Sequence, residues 1–580
     1  MADYNKWTKD DLIKRVKQLE DELKRDNQNS QPPTSPETTV LEPQNGDAEA
    51  SLPGQATKKK QKKTKSMDPS KYATRFIALK LAYIGKKYNG FEYQCSGLMS
   101  TIEEELWKAL VKACLIFPNP DKPNEVDWNV CEYSKCGRTD RGVSAFGQVV
   151  ALRVRSNKPA KRKAASPEPT AGDEVTATGE ISHGERKDVV MTEAGGQPQE
   201  ESDDTPLPVE QEIPYCRVLN RILPPDIKVY AWCPNPPPDF SARFSCRERQ
   251  YRYFFTQPAF APLPNFLDNT NAATISSKPK DGWLDIDVMR QAAKLFEGLH
   301  DFRNFCKIDP SKQITNFQRR IYEADIVEVD GVDSAIPYLS GPEFREPTVA
   351  ASNNAAFPKV YYFHVRGSAF LWHQIRCMVA VLFLVGQGLE KPSIVSELLD
   401  AVKNPRRPNY VLADDAPLVL WDCIFGRENE QGAADEVDWL YVGGKGDSPL
   451  NLHGSNGLAG DLWGYWREKK MDEILANRLL DWVSQKTAMQ DIPEGFDEAE
   501  ISGKMVKGSR VFEGGTGPKL SGAYVPVLKK DLMQSPESLN DRYAVRKGFK
   551  SAEEMRAVGN WREAIKEAKE KEATMDTAEG

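Results

Sequence analysis

Apolar residues gather along this chain into short runs of two recognisable periods, separated by polar stretches with neither. Residues 76–83 are apolar at nearly every position, as in a strand buried on both faces, and lead into a loop punctuated by Gly85, Asn89 and Gly90. Ser100-Thr101-Ile102-Glu103-Glu104 then offers a helix start in which a hydroxyl accepts from an orphan backbone N–H. Ile102, Leu106, Leu110 and Ala113 follow on one helical face. Strand spacing returns over 146–154, so the first unit reads strand, helix, strand. Folded sequence resumes near Tyr215, with 251–255 the next strand candidate.

A second unit runs from about 283 to 425. Asp285 or Asp287 caps a helix with Val288, Ala292, Leu295 and Phe296 on its apolar face and Gly298 placed to end it. Strand candidates 322–329 and 360–366 flank a long gap. An apolar helix is expected to begin directly at Phe370 and reach Val385, and a helix over 393–402 and a strand over 418–424 close the unit. Two units of similar content predict an α+β pseudo-repeat.

The resulting organisation is an N-terminal helix over 1–26, a basic disordered linker over 27–71, a first half over 72–262, a second half over 263–435 and an extension over 436–580. In the N-terminal helix, Leu12, Val16, Leu19 and Leu23 recur at helical spacing. It is either a short coiled coil or an isolated solvated helix, there being fewer than three heptads. Residues 158–208 lack any apolar period and interrupt the first half as a disordered insertion. The extension mixes Trp439, Trp463, Trp466 and Trp482 with Gly-rich turns, so it packs on the core without belonging to it. Its end, 552–573, has a charged helical pattern with no broad apolar stripe and reads as a solvated helix or tail.

Composition and charge refine this picture in four ways. The chain has 580 residues, too many for one core, and 28% of them are charged, which implies long solvated segments around a normal core. Ten cysteines are scattered without a single C-x-x-C pair, which reads as a set of reduced thiols and not as a disulfide framework or zinc site; no metal is expected. The apolar stretch 370–385 contains His373, Gln374 and Arg376 and is shorter than the ~20 apolar residues a bilayer requires, so it is read as a core helix and no membrane is expected. The net charge of -7 hides an uneven distribution, with acidic residues crowding 168–212 and basic ones 58–65 and 158–163, so it does not exclude a nucleic-acid partner.

Three places carry candidate chemistry. In Cys136-Gly137-Arg138-Thr139-Asp140-Arg141-Gly142, one carboxylate stands between two guanidiniums, which should hold its pKa low; a polar turn with surface salt bridges fits the same residues. Arg376 lies within the apolar helix and, if buried, needs an acid from elsewhere in the fold, for which Asp140 is the natural partner; a guanidinium snorkelling at the helix edge is the alternative. In 239–253, arginines alternate with aromatics, supplying phosphate donors and stacking faces for a single-stranded or flipped base. An ordinary strand with aromatics inside and arginines in solvent has the same pattern.

These residues resemble the TruA-type tRNA pseudouridine synthases. The resemblance rests on the Gly137-Arg138-Thr139-Asp140 loop, on 83–94, on Asp239-Phe240-Ser241-Ala242-Arg243-Phe244 with Arg249-Gln250-Tyr251-Arg252-Tyr253, on Gly298-Leu299-His300-Asp301-Phe302, and on Phe370-Leu371-Trp372-His373-Gln374-Ile375-Arg376. It ends near Ala416-Pro417-Leu418 and covers 72–157 and 206–426 in order. Arg141 and Ser144, where bacterial-type members carry alanine and histidine, are similar to the eukaryotic branch that modifies positions 38 and 39 of the anticodon stem-loop.

The resemblance implies an α+β fold of two RNP-like, ferredoxin-like halves sharing a central antiparallel sheet with helices on one side. It implies Asp140 as nucleophile, Tyr251 as the uracil-stacking residue and a proton-transfer candidate, Arg376 as the partner of Asp140, and Arg138 as a base-displacing side chain. Leu418, Arg141, Arg243, Arg249, Arg252 and His373 are the expected substrate contacts. Uridine isomerisation needs a nucleophile and a flipped base but no redox group, so no cofactor is expected. The expected partners are tRNA and a second copy in a homodimer. The basic runs 58–65 and 158–163 suit nuclear import or tRNA phosphates, for a protein of nucleus and cytoplasm.

Overall fold

The computed structural model describes residues 67–95, 97–123, 125–160, 206–262, 279–330, 358–426, 428–429, 432–433, 437–488 and 509–565. The N-terminal helix expected over 1–26, nearly all of the linker, most of the 158–208 insertion and both basic runs except 158–160 lie outside them.

The buried run of the first unit becomes β1 (Tyr72–Tyr83), and the capping box becomes the start of α1 (Ile102–Lys112), where Thr101 Oγ1 accepts from Glu104 N at 3.2 Å. The two-residue β2 (Ser134–Lys135) and β3 (Ser144–Pro159) follow, then α2 (Tyr215–Asn220) and β4 (Ile227–Cys233). β1 pairs antiparallel with β3 on one side and β4 on the other. Ile102, Leu106 and Leu110 of α1 join Leu79, Leu81, Val150 and Leu152 in a first core.

The second unit supplies β5 (Glu248–Gln257), α3 (Ile286–Lys294), β6 (Gly298–Asp301), β7 (Gln318–Glu328), β8 (Lys359–Gly367), α4 (Gln374–Gly386), α5 (Ile394–Leu399) and β9 (Leu418–Ile424). β9, β5, β8, β7 and β6 are neighbours in that order and all antiparallel. Asp285 caps α3 by accepting from Val288 N, and Gly298 beyond it takes a φ of 109°. α4, buried over nearly its whole length, packs Met378, Leu382 and Phe383 into a second core with Tyr253, Phe255 and Phe363.

One ten-stranded sheet joins both units, so the expected α+β class with a large, mostly antiparallel central sheet is the one observed. The seam between the units is its single parallel contact, β3 against β9 over two residue pairs, Ser144 with Val419 and Ala145 with Leu420. β5, counted with the first half on sequence, is embedded between β9 and β8. The seam matters because the Gly137 to Gly142 loop enters β3 there.

Three sequence expectations are corrected. The apolar helix does not begin at Phe370. His373 adopts a left-handed φ of 61° and Leu371 N donates to the Gln374 side chain, so 369–373 form a loop and helix starts at Gln374. The extension is not merely laid on the core: Leu440–Tyr441 adds an edge strand to β4, and Val511, Phe512 and Val527 belong to the second core. Residues 458–488, read as aromatics among turns, form one long helix; the described part of the charged pattern 552–573 is broken at 558–560, with Ala552–Ala557 packed against Ala544 and Tyr543 and 561–565 helical again. No helix among the described residues is long and apolar enough to cross a membrane.

Candidate active site

The loop bearing Asp140 is fixed from beneath by buried polar contacts. Gln148, fully buried on β3, accepts from Gly137 N at 3.2 Å and donates to Gly137 O at 3.0 Å. Thr139 is buried and shares a 2.7 Å hydrogen bond with Tyr83 at the end of β1, while its carbonyl accepts from Phe91 N at 3.1 Å. Two glycines are required by space and by backbone. A Cβ at Gly142, where φ is 79°, would meet Asp415 Oδ1 at 2.5 Å, and one at Gly90, where φ is 86°, would meet Thr139 O at 2.9 Å. The first unit therefore presents Asp140 on a rigid support.

Facing it are the loop 369–373 of the second unit and the first turn of α4, which carries Arg376. Trp372 Nε1 donates to Asp140 Oδ1 at 3.0 Å, and His373 Nε2 lies 3.5 Å from Oδ2. Burial, reinforced by Arg376, Lys307 and Arg407, pushes His373 down to about 4, so the ring is neutral near pH 7 and is no ion-pair partner. Its Nδ1 is buried without a hydrogen-bond partner. Lys307 and Lys312 hold their ammonium groups 4.6 and 5.8 Å from the Trp372 ring.

Asp140, Tyr251, Arg376, Arg138, Arg141, Arg243, Arg249, His373 and Leu418 all line one cavity of about 880 Å³, with Trp372, Lys312 and Phe244 among its other walls. Arg252 does not join them. Side chains alternate along β5, so with Tyr251 and Tyr253 facing the cavity and core, Arg252 emerges on the other face. It stacks there 3.7 Å from the Trp421 ring and 4.4 Å from Tyr362. Tyr251 itself packs against both cores and meets Phe370 edge-on at 5.2 Å, at a register shift between Gln250 and Tyr251 in the β5–β9 pairing.

The electrostatics differ from the sequence expectation. Arg138 and Arg141 do not hold the Asp140 pKa low: Arg138 is spent on Glu92 at 3.1 Å and Arg141 is exposed. Burial raises Asp140 above its ordinary value, opposed by the charge of Arg376, the Trp372 hydrogen bond and the charge of Lys312, and seconded by Asp415. Nor is Arg376 in direct ion pair with Asp140. Its side chain is 14% exposed and turned inward, so it does not snorkel: it reaches Asp415 at 3.8 Å while its Nε donates to Ala413 O at 2.7 Å. Its field still acts on Asp140 through space. Burial drives the Tyr251 phenol well above its usual range, so it is a neutral hydroxyl at working pH.

Arg249, expected as a phosphate contact, commits its guanidinium to backbone: Nη1 donates to Ser368 O at 2.8 Å and Nη2 to Cys136 O and Arg243 O at 3.2 and 3.3 Å. It thus ties the Asp140 loop, the Arg243 segment and the approach to Trp372 together. Sequence reasoning passed over Trp372, Lys312 and Phe244. Lys312 acts across the seam and leaves no local pattern, whereas Trp372 stood inside the Phe370 to Arg376 motif and Phe244, an aromatic 77% exposed at the cavity mouth, inside the Asp239 to Phe244 motif.

Comparison with known proteins places the chain among relatives of one kind. A family model described as tRNA pseudouridine synthase matches residues 292–426. A protein of Bos taurus named tRNA pseudouridine(38/39) synthase is 36% identical over 439 residues, 76% of this chain and 69% of its own. A Saccharomyces cerevisiae protein of the same name is 36% identical over 437 residues, 75% of this chain and 73% of its own. A tRNA pseudouridine synthase A of Methanosarcina mazei is 26% identical over 324 residues, 56% of this chain and 76% of its own.

Proposed function

The chain belongs to the tRNA pseudouridine synthase family, and on that premise we propose that it isomerises uridine to pseudouridine at positions 38 and 39 of the tRNA anticodon stem-loop, with Asp140 as nucleophile. The observation that carries this reading is the seating of one carboxylate, fixed by Trp372 Nε1, at the meeting of two loops from opposite halves of the sheet.

Isomerisation breaks the bond from uracil N1 to C1′, turns the base and joins C5 to C1′. An ionised Asp140 attacks C1′ or C6, or assists a glycal intermediate, and the guanidinium of Arg376 favours its charged form against burial. Tyr251 stacks on the flipped uracil. Because its phenolate is inaccessible near neutral pH, it acts on the C5 proton through its neutral hydroxyl or a water it holds. A base stacked in a helix is out of reach of a carboxylate set in the wall of a cavity, so the nucleotide is flipped, and Arg138 occupies the space it leaves. Arg141 and Arg243, exposed at the cavity rim, supply phosphate contacts, and Leu418 an apolar one.

The same reading makes the protein a homodimer that binds tRNA across both subunits and works in nucleus and cytoplasm. Light scattering of the full chain checks the first, and the location of a fluorescent fusion before and after neutralising 58–65 and 158–163 the second. The substrate assignment is checked by mapping pseudouridine in tRNA from cells that lack the protein. Loss at 38 and 39, restored by the parent chain and not by Asp140→Ala, is expected; intact modification at both positions would sink the assignment.

A further inference from the structure

Cys136, Cys246 and Cys423 come together although more than a hundred residues separate each from the next along the chain. Cys136 opens the Asp140 loop, Cys246 precedes β5 and Cys423 lies on β9. Their sulphurs all lie within 4.8 Å of one another, and all three side chains are buried. A metal held at about 2.3 Å by each of three thiolates places the sulphurs about 3.8 to 4 Å apart, a spacing this cluster accommodates.

Charge favours a particular occupant. Three thiolates alone would leave a buried triple negative charge. The Arg249 guanidinium interacts with all three sulphurs through space while donating to Cys136 O. A dication with that guanidinium balances three thiolates, whereas a monocation leaves one negative charge buried without compensation.

We propose that Cys136, Cys246 and Cys423 form a three-thiolate site for a thiophilic divalent cation of the zinc class, seated beneath the Asp140 loop. Binding forms three metal–sulphur bonds and releases the thiol protons to solvent, with no change of oxidation state. The ion then ties the loop to β5 and β9 at one point, as Arg249 does through backbone carbonyls. Nothing in the isomerisation passes through it, so the site is structural and its signature is spectroscopic.

The test uses the full chain, purified under reducing conditions, stripped with chelator and loaded with Co(II) as the probe. One cobalt per chain is expected, with an intense sulphur-to-cobalt charge-transfer band. The band should be lost in Cys246→Ala and in Cys423→Ala and kept in Cys306→Ala, a buried cysteine outside the cluster. X-ray absorption on the loaded parent chain, which depends on no variant folding, should count three sulphur ligands. Cobalt that does not stay with the parent chain, a band that survives in both cluster variants, or a shell of nitrogen and oxygen alone would each overturn the proposal.

Discussion

The two loops that meet at the cavity are built on opposite plans. The loop 137–142 is overdetermined: Gln148, Tyr83 and the backbone of Phe91 hold it, and Gly142 fits only because it has no side chain. The loop 369–373 is tensioned, with His373 in left-handed backbone, its Nδ1 buried without a partner, and Trp372 37% exposed beside two lysines. The first loop positions a carboxylate; the second sets the field that carboxylate feels. Desolvation raises the Asp140 pKa, and Arg376, Trp372 and Lys312 across the seam restrain it. The charge state of Asp140 is therefore set by the contact between halves and by neither half alone.

The comparison can be broken on either side. Gly142→Ala forces a side chain into left-handed backbone, at about 1–3 kcal/mol, and onto the Asp415 carboxylate. Thermal unfolding should move to lower temperature and activity should fall on the order of a hundredfold or more. Activity near that of the parent would show that the loop is softer than its contacts imply. Arg376→Met leaves the first loop untouched and removes the main cation opposing burial. A drop in kcat on the order of a hundredfold is expected, with the acid limb of the pH profile shifted upward.

The sign follows from the groups involved. Asp140 is raised already, so its active ionised form is lost as pH falls through a value above that of an ordinary aspartate, and removing a neighbour that lowers the pKa moves this loss to still higher pH. Trp372→Phe removes one hydrogen bond to a carboxylate and should do the same more weakly, with kcat reduced roughly tenfold. An acid limb that moves down, or stays, in both variants would separate Asp140 from the titration. The smallest effect distinguishes the two faces of β5 and its neighbourhood. Arg243→Ala should make the salt dependence of tRNA binding shallower by about 0.7 to 0.9 in log–log slope, as for one phosphate contact, while Arg252→Met should leave the slope unchanged.

Much of this was legible in the chain. The strand over 418–424 matches β9 to the residue, and the capping signals of Thr101 and Asp285 mark the helix starts observed. Local pattern suffices there because the determinants are local. It fails where burial or the sheet decides. Asp140 between two arginines reads as acidified, yet one arginine turns to Glu92, the other to solvent, and desolvation reverses the sign. Arg249 and Arg252 look alike on paper, and only the strand's placement sends one into the Asp140 loop and the other between Trp421 and Tyr362. The three meeting cysteines have no spacing signal, since three separate elements bring them together.

Asp140→Asn provides the most direct test of the central claim, because burial makes the native carboxylate a cost to the fold. A pKa raised on folding contributes stability below the unfolded value that is lost as pH rises through the folded one, so near pH 7 the ionised group opposes folding and its removal should leave unfolding unchanged or at a higher temperature. Single-turnover conversion of uridine in tRNA by this variant should fall by roughly a thousandfold or more, with tRNA affinity within a few fold of the parent. A rate within about tenfold of the parent, in a variant that is folded and binds tRNA, would contradict the assignment of Asp140 as the nucleophile.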